Sequence, residues 1–205
     1  MKLKTLNMGL FKVNNYLLFD EESKDIILID AGGDFEITKS AIDELGGNLK
    51  YLLNTHAHMD HIAGDFDIQK NYDVPVYIQK DDKEQLPHFK EYLNYVGMPD
   101  YELPENVNFI EGNETFKIGN KTIRTIHTPG HTQGGVCYLI DDMLFSGDSL
   151  FYESIGRTDL LGGNHNQLLN SIKTKLLVLP EEIKVYPGHG PSTTIEHEKQ
   201  FNAYV

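Results

Sequence analysis

Three histidines and one aspartate lie within six residues, in the stretch His56-Ala57-His58-Met59-Asp60-His61. Imidazole and carboxylate groups are ligands that zinc and similar divalent ions accept. Alternate side chains of an extended strand point the same way, so His56 and His58 can bind one cation from one side. Asp60 and His61, where the chain turns toward a helix, can serve a second cation. Two ions about 3.5–4 Å apart can polarise a carbonyl or phosphoryl oxygen and hold a hydroxide between them.

The remaining ligands must come from elsewhere, because a zinc-like ion takes about four or five. His131 and His189 each follow a Pro-Gly pair in the loop to which a predicted strand leads. Such a pair shapes a tight loop that aims the imidazole, and its repetition suggests two similar halves that face one site. Asp148 closes another strand, in Ser146-Gly147-Asp148-Ser149. Taken alone, Asp148 has a second interpretation as a solvated turn residue.

Composition limits the class of protein. The 205 residues suffice for one buried core, and no Pro/Ser-rich linker divides them, so we expect a single domain over residues 1–205. The net charge of −13 disfavours nucleic acid and anionic membranes as partners. The single cysteine, Cys137, can form neither an internal disulfide nor a thiolate zinc cage. With no visible signal peptide or apolar span, we expect a cytoplasmic protein and a small-molecule substrate.

The predicted elements place the histidine cluster at the end of a strand. A hairpin is predicted over Val13–Phe19 and Ile26–Ile29. Asp34 is the predicted N-cap of a helix whose apolar face includes Ile37. A buried strand over Leu49–Leu53 then runs directly into the cluster.

The second half of the chain is predicted to be rich in strands. Residues 87–106 are expected to form an irregular, partly exposed insertion. Closely spaced antiparallel strands are predicted at Val107–Ile110, Thr115–Ile118, Lys121–Ile126, Gly135–Ile140 and Met143–Phe145. Asn164 and Thr193 begin capping patterns that predict two later helices, with a strand at Ile183–Tyr186 between them.

The ordered ligand candidates together resemble the metallo-β-lactamase superfamily over nearly the whole chain. Within it, Thr128–Thr132, Phe145–Asp148 and Ile155–Leu160 resemble the short glyoxalase II-like hydrolases. The resemblance implies an α/β fold, a four-layer αββα sandwich of two mixed β-sheets with helices on the outer faces. It also implies two ligand sets: His56, His58 and His131 for one ion, Asp60, His61 and His189 for the other, with Asp148 bridging.

The implied activity is hydrolysis of thioesters such as S-2-hydroxyacyl-glutathione by a metal-bound hydroxide at a binuclear centre. Zinc is the expected metal, with iron and manganese as alternatives. Asp60 is the expected catalytic residue, since it orients the nucleophile and can accept its proton. Arg157 is a candidate anchor for a substrate carboxylate. Its alternative role is an ion pair with Asp159 that braces the loop.

Other functions on the same scaffold remain open at this point. A persulfide dioxygenase with one iron would use His56, His131 and Asp148 or a similar subset, and a lactonase would share the hydroxide mechanism. Antibiotic hydrolysis is disfavoured. Many true β-lactamases of the superfamily place a cysteine at the second metal, whereas Cys137 lies on a predicted strand, 11 residues before Asp148. Classical glyoxalase II enzymes carry a further C-terminal helical domain, which this sequence does not show, so the thiol carrier is open. The oligomeric state is not predicted.

Overall fold

Two six-stranded sheets form the centre of the computed structural model, which describes residues 1–205. The first sheet contains, in chain order, β1 (Lys2–Met8), β2 (Val13–Phe19), β3 (Asp25–Ile29), β4 (Asn48–Leu53), β5 (Val76–Gln79) and β6 (Val107–Ile110). Its first three strands are antiparallel, and β3 to β6 run parallel.

The second sheet is antiparallel except where β10 and β13 run parallel. Its strands, with a small hairpin of β11 and β12 between them in the chain, are β7 (Thr115–Ile118), β8 (Lys121–His127), β9 (Val136–Ile140), β10 (Met143–Gly147), β11 (Leu150–Phe151), β12 (Ser154–Ile155), β13 (Lys184–Pro187) and β14 (Thr193–Thr194). The spatial order is β14-β13-β10-β9-β8-β7.

Helices cover the outer faces of both sheets. They are α1 (Phe35–Leu45), α2 (Met59–Ile62), α3 (Asp65–Tyr72), a 3₁₀ helix (Lys80–His88), α4 (Phe89–Val96), α5 (His165–Ser171), which continues as a π turn (Ile172–Leu176), and α6 (Ile195–Phe201). None of them combines the length and the apolar character needed to cross a membrane.

Alternating side chains of the strands build three apolar layers. In β2, Leu18 faces the other sheet, whereas Leu17 faces the helices outside the first sheet. The central layer contains residues of both sheets, such as Ile29 and Phe145. The outer layers are closed by helix residues, for example Ile42 over the first sheet and Leu168 over the second. The predicted four-layer αββα sandwich is therefore confirmed.

Two predictions about the middle of the chain are wrong. Residues 87–106 are not wholly irregular, because Phe89 and Leu93, four residues apart on α4, bury against Ile62 and Ile78. The strand Val107–Ile110 is not part of the antiparallel series, since β6 pairs parallel with β5 in the first sheet. The chain crosses between the sheets after β6, and strand spacing alone does not reveal such a crossing.

The predicted helix ends are confirmed in part. Asp34 precedes α1, but its φ is 50° and its carboxylate accepts a hydrogen bond from Gly9 N–H (3.1 Å) instead of capping the helix. Ile37 was predicted to face the core and is 51% exposed, whereas Thr38 is buried. Asn164 Oδ1 accepts from Gln167 N–H, as predicted. The cap of α6 is Thr194, whose hydroxyl accepts a hydrogen bond from His197 N–H, rather than Thr193, which pairs with Val185 of β13.

Candidate metal centre

All seven predicted ligand side chains lie close together, and each lies on a short helix or in the loop that follows a strand. His56 and His58 follow β4, and Asp60 and His61 lie on α2, whose first turn begins at the extended residue His58. Three further residues arrive from the second sheet, after β8, β10 and β13 respectively: His131, Asp148 and His189. The strand-to-loop repeat in the sequence thus brings two histidines to one site, as predicted.

The first ligand group consists of His56, His58 and His131. One potential ligand atom from each of the three lies within 4.8 Å of the others, and all three side chains are buried. The Nε2 atoms of His56 and His131 are 3.2 Å apart. The group could therefore hold one ion from three directions.

The second ligand group consists of Asp60, His61 and His189, whose ligand atoms also lie within 4.8 Å of one another. His189 Nε2 is 3.2 Å from Asp60 Oδ2 and 3.3 Å from His61 Nε2. This group is more open than the first, because the His189 side chain is 27% exposed.

Asp148 contacts both ligand groups. Its Oδ1 atom is 3.4 Å from His61 Nε2, and its Oδ2 atom is 3.5 Å from His131 Nε2. Oδ2 also lies 3.6 Å from His189 Nε2. A carboxylate in this position can bridge two ions, and the solvated-turn interpretation of Asp148 does not fit its 11% side-chain exposure.

The ring nitrogens that point away from the centre are held by fixed oxygens. The Nδ1 atoms of three ligands lie 2.7–3.0 Å from acceptors: His61 from Asp30 Oδ2, His131 from the Arg157 carbonyl and His189 from the Phe11 carbonyl. A carbonyl only accepts, so Nδ1 of His131 and of His189 carries the proton. In the neutral rings, their Nε2 atoms then present lone pairs to the centre, the arrangement of metal-binding histidines.

Burial and the neighbouring charges shift the pKa values of the cluster. Burial, together with neighbouring imidazoles, lowers the pKa of His58 to about 3 and that of His56 well below its usual value. Burial opposes the charge on His61, but nearby carboxylates, led by Asp148, raise its pKa well above the usual value. Burial likewise opposes ionisation of Asp148, yet His61 and other imidazoles hold its pKa below the usual range. The lowered pKa values keep His56 and His58 neutral, and neutral imidazoles beside ionised carboxylates are a donor set for a cation.

Two orphaned atoms show that these residues fit divalent metal ions. His58 Nε2 and Asp148 Oδ1 are buried and have no hydrogen-bond partner. Buried polar atoms without hydrogen-bond partners are costly. Divalent ions bound at the cluster would give both atoms a partner. The His/Asp cluster therefore supports divalent-metal binding.

Sequence reasoning missed Asp30 and Asn14. Their side chains form hydrogen bonds with the segments that carry His56 and His189, respectively. Asp30 accepts hydrogen bonds from the backbone N–H (2.7 Å) and the hydroxyl (2.8 Å) of Thr55, beside His56. A signal for Asp30 was present: it directly follows β3, and parallel neighbours β3 and β4 end at the same edge. Asn14 lies inside a strand, and nothing in the sequence marks it as part of the site.

The Arg157 side chain lies on the surface, whereas Cys137 lies in the core. The Arg157 guanidinium forms two hydrogen bonds with the Asp159 carboxylate (2.7 and 2.9 Å) on the surface, which is the predicted alternative to substrate binding. The backbone carbonyl of Arg157 accepts the hydrogen bond from His131 Nδ1.

Cys137 is fully buried in the core under the second sheet, and burial raises the pKa of its thiol to about 11.

Comparison with known proteins identifies the family. The profile described as "Metallo-beta-lactamase superfamily" matches residues 8–189. The chain belongs to the metallo-beta-lactamase superfamily. The "Probable metallo-hydrolase YqgX" of Bacillus subtilis is 36% identical over 100% of this chain and 98% of its own. The "Hydroxyacylglutathione hydrolase GloC" of Haemophilus influenzae is 34% identical over the same shares.

Two solved structures share the superfamily fold over nearly the whole chain. BLEG-1, described as a B3 metallo-beta-lactamase, superposes with a TM-score of 0.89 at 35% identity and covers 99% of both chains. TTHA1623, solved in a di-iron-bound form, has a TM-score of 0.89 at 31% identity and covers 98% of this chain and 100% of its own. Relatives of similar length thus include metallo-hydrolases, and one neighbour holds two iron ions.

Proposed function

We propose that the protein is a metal-dependent hydrolase of thioesters, with S-2-hydroxyacyl-glutathione or a related small thiol conjugate as substrate. The observation that carries the proposal is the position of Asp148, which contacts both ligand groups and so supports a site for two ions. The substrate class is supported by the identity of 34% to a hydroxyacylglutathione hydrolase along the whole chain. The net charge of −13 favours a small molecule over nucleic acid or an anionic membrane, and the lone cysteine suits the cytoplasm.

Each ligand group is proposed to bind one ion. The first group would hold one ion and the second group the other, with Asp148 shared between them. Zinc is the proposed metal, with iron or manganese as alternatives, because imidazole and carboxylate ligands suit all three. Such ions supply an activated water and a positive charge that polarises the thioester carbonyl.

Asp60 is the proposed catalytic residue. Its carboxylate lies in the second group, and although burial would raise its pKa, His61 and His189 lower it, so the group is ionised. An ionised carboxylate can accept a hydrogen bond from the attacking water, orient it and take its proton. Arg157 is proposed to anchor a substrate carboxylate, which would exchange with Asp159 on the exposed guanidinium.

The proposal is tested by two measurements on protein purified without added metal. Elemental analysis gives the identity and number of bound ions, and release of free thiol from an S-2-hydroxyacyl-glutathione gives the activity. We expect two ions per chain and hydrolysis that His58→Ala and Asp60→Asn abolish or reduce at least about a hundredfold. His88→Ala and Asp67→Asn, which change the same residue types outside the site, serve as matched controls.

Three results would overturn the proposed activity. One is wild-type hydrolysis rates in folded Asp60→Asn and His58→Ala proteins. Another is a single iron per chain with oxygen uptake on glutathione persulfide, which would indicate a dioxygenase. The third is rapid hydrolysis of a β-lactam or a lactone without thioester hydrolysis.

A further inference from the structure

Asp82 is a fully buried carboxylate that belongs to neither ligand group. It lies on the 3₁₀ helix Lys80–His88, a segment rich in charged residues. Transfer of an ionised carboxylate out of water costs several kcal/mol unless hydrogen bonds compensate it. The surroundings of Asp82 therefore need an explanation that its own helix does not provide.

Three hydrogen bonds to Asp82 come from the two loops that carry the first ligand group. The N–H of Ala57, between His56 and His58, donates to Oδ2 at 2.8 Å. The hydroxyl of Thr132, next to His131, donates to Oδ2 at 3.0 Å. The N–H of Gly134 donates to Oδ1 at 2.6 Å. One carboxylate thus connects two chain segments that are far apart in the sequence.

Gly134 shows how closely the second loop approaches this carboxylate. A Cβ atom added at Gly134 would lie 2.7 Å from Asp82 Cγ and 2.6 Å from Asp82 N. No side chain fits at that separation without displacing the loop or the helix. The distance between the loops is therefore set by direct contact with Asp82 as well as by hydrogen bonds.

We propose that Asp82 is a positioning residue that fixes the separation of the His56/His58 loop from the His131 loop, and so sets the affinity of the first ligand group for its ion. The inference rests on the proposed function only in that the first group binds a metal. The second group has separate supports, since His61 is held by Asp30 and His189 by the Phe11 carbonyl. Loss of Asp82 should therefore weaken one of two ion sites.

The test is a titration of metal-free protein with Zn²⁺ in the presence of a competing chelator, repeated with Co²⁺, whose absorption spectrum reports ligand geometry. Asp82→Asn keeps the size of the side chain but replaces one acceptor oxygen with an NH₂ group. That group cannot accept the hydrogen bond that one of the three partners donates to the carboxylate. We expect one of the two sites to bind about 10- to 100-fold more weakly, the usual effect of removing a group that orients a ligand. The Co²⁺ spectrum of that site should change as well.

Two further variants complete the experiment. Asp81→Asn makes the same change at the preceding residue. The Asp81 carboxylate accepts a hydrogen bond from the Gln79 amide and none from the two ligand loops, so this variant should leave both metal affinities unchanged. Thr132→Val removes one donor to Asp82 without changing the size of the side chain, and should weaken the same site by a smaller factor. If Asp82→Asn does not fold, Thr132→Val decides the outcome.

The inference is overturned if folded Asp82→Asn and Thr132→Val bind both ions as tightly as wild type, or if both sites weaken equally. It is also overturned if only the thermal stability of the metal-free protein changes. Thioester hydrolysis is not a readout, so the two proposals can fail separately. A wild-type protein that binds two ions without hydrolysing thioesters contradicts the proposed function alone, whereas one that binds no ion contradicts both.

Discussion

The hydroxyl of Tyr16 donates a 2.6 Å hydrogen bond to the carbonyl oxygen of Pro187, two residues before His189. Tyr16 belongs to β2 in the first sheet, and Pro187 ends β13 in the second. Asn14 adds three more bonds to the same segment, from its backbone N–H to Gly188 O (2.7 Å) and from its amide to the carbonyls of Pro187 (3.0 Å) and Gly190 (2.9 Å). The loop that carries His189 is therefore held by the opposite sheet.

Replacement of Asn14 tests this connection. Asn14→Ala removes both amide bonds and leaves buried carbonyls without those donors, so we expect a loss of about 1–3 kcal/mol in the free energy of unfolding. We also expect weaker binding of the ion at the second ligand group, with the first unaffected. Urea unfolding and a Zn²⁺ titration measure the two effects. Asn71→Ala, on the surface of α3, is the control, and selective weakening of the first group would contradict the prediction.

Gly156 tests the packing under Asp148. A Cβ atom at Gly156 would lie 1.8 Å from the Asp148 carbonyl oxygen and 3.1 Å from His131 Nδ1. Gly156→Ala must therefore displace the backbone at Asp148 or the His131 loop, and we expect lower metal content in addition to lower stability. Gly46→Ala is the comparison, because its φ of 65° is strained for alanine but no atom lies within 4 Å. It should lose stability while keeping its metal, and equal metal content in both variants would refute the prediction.

The ligands could be predicted from the sequence, whereas the groups that hold them could not. His56, His58, Asp60 and His61 form a local pattern, and their chemistry needs no knowledge of the fold. Asp82 meets its partners Ala57 and Gly134 only in the folded chain, because they lie 25 and 52 residues away in the sequence. A buried carboxylate on a polar helix gives the same sequence signal as an exposed one. Long-range hydrogen bonds of this kind become visible only in the folded chain.

The same limit explains the errors about the fold. Local alternation identified β6 as a strand, but the sheet that it joins depends on the path of the chain between Ile110 and Thr115. Phe89 and Leu93 gave a helical spacing that the surrounding tyrosines, prolines and glycines obscured. Their burial against Ile62 and Ile78 decides that α4 forms.

Two histidine pairs set the pH dependence of the metal-free protein. The pKa of His58 is lowered to about 3 and that of His56 well below the ordinary 6.5, so below about pH 6.5 the unfolded chain binds protons that the folded protein does not. Stability therefore falls as the pH falls. The pKa values of His61 and His189 are raised, so the folded protein keeps protons that the unfolded chain releases, and stability falls as the pH rises above about 6.5.

With a chelator present, the contribution of these four histidines to the free energy of unfolding should consequently be largest near pH 6.5, the ordinary pKa of the groups. His58→Gln should make the acid side shallower by up to about 1.4 kcal/mol per pH unit, the contribution of one proton. His88→Gln, on the surface, should leave the curve unchanged. An acid side that is equally steep in His58→Gln and in wild type would show that buried His58 does not resist protonation.

The ion pair of Arg157 and Asp159 permits a test that separates its two possible roles. If Arg157 anchors a substrate carboxylate, Asp159 competes with the substrate for the guanidinium. Arg157→Gln should then raise KM for carboxylate-bearing thioesters, by about tenfold for the loss of one charged hydrogen-bonded pair. Asp159→Asn should lower KM, because it frees the guanidinium. If the pair only braces the loop whose carbonyl holds His131, both substitutions break the same contact and should change kcat and metal affinity in the same direction. Opposite changes in KM with metal affinity unaltered support the anchor, and parallel changes refute it.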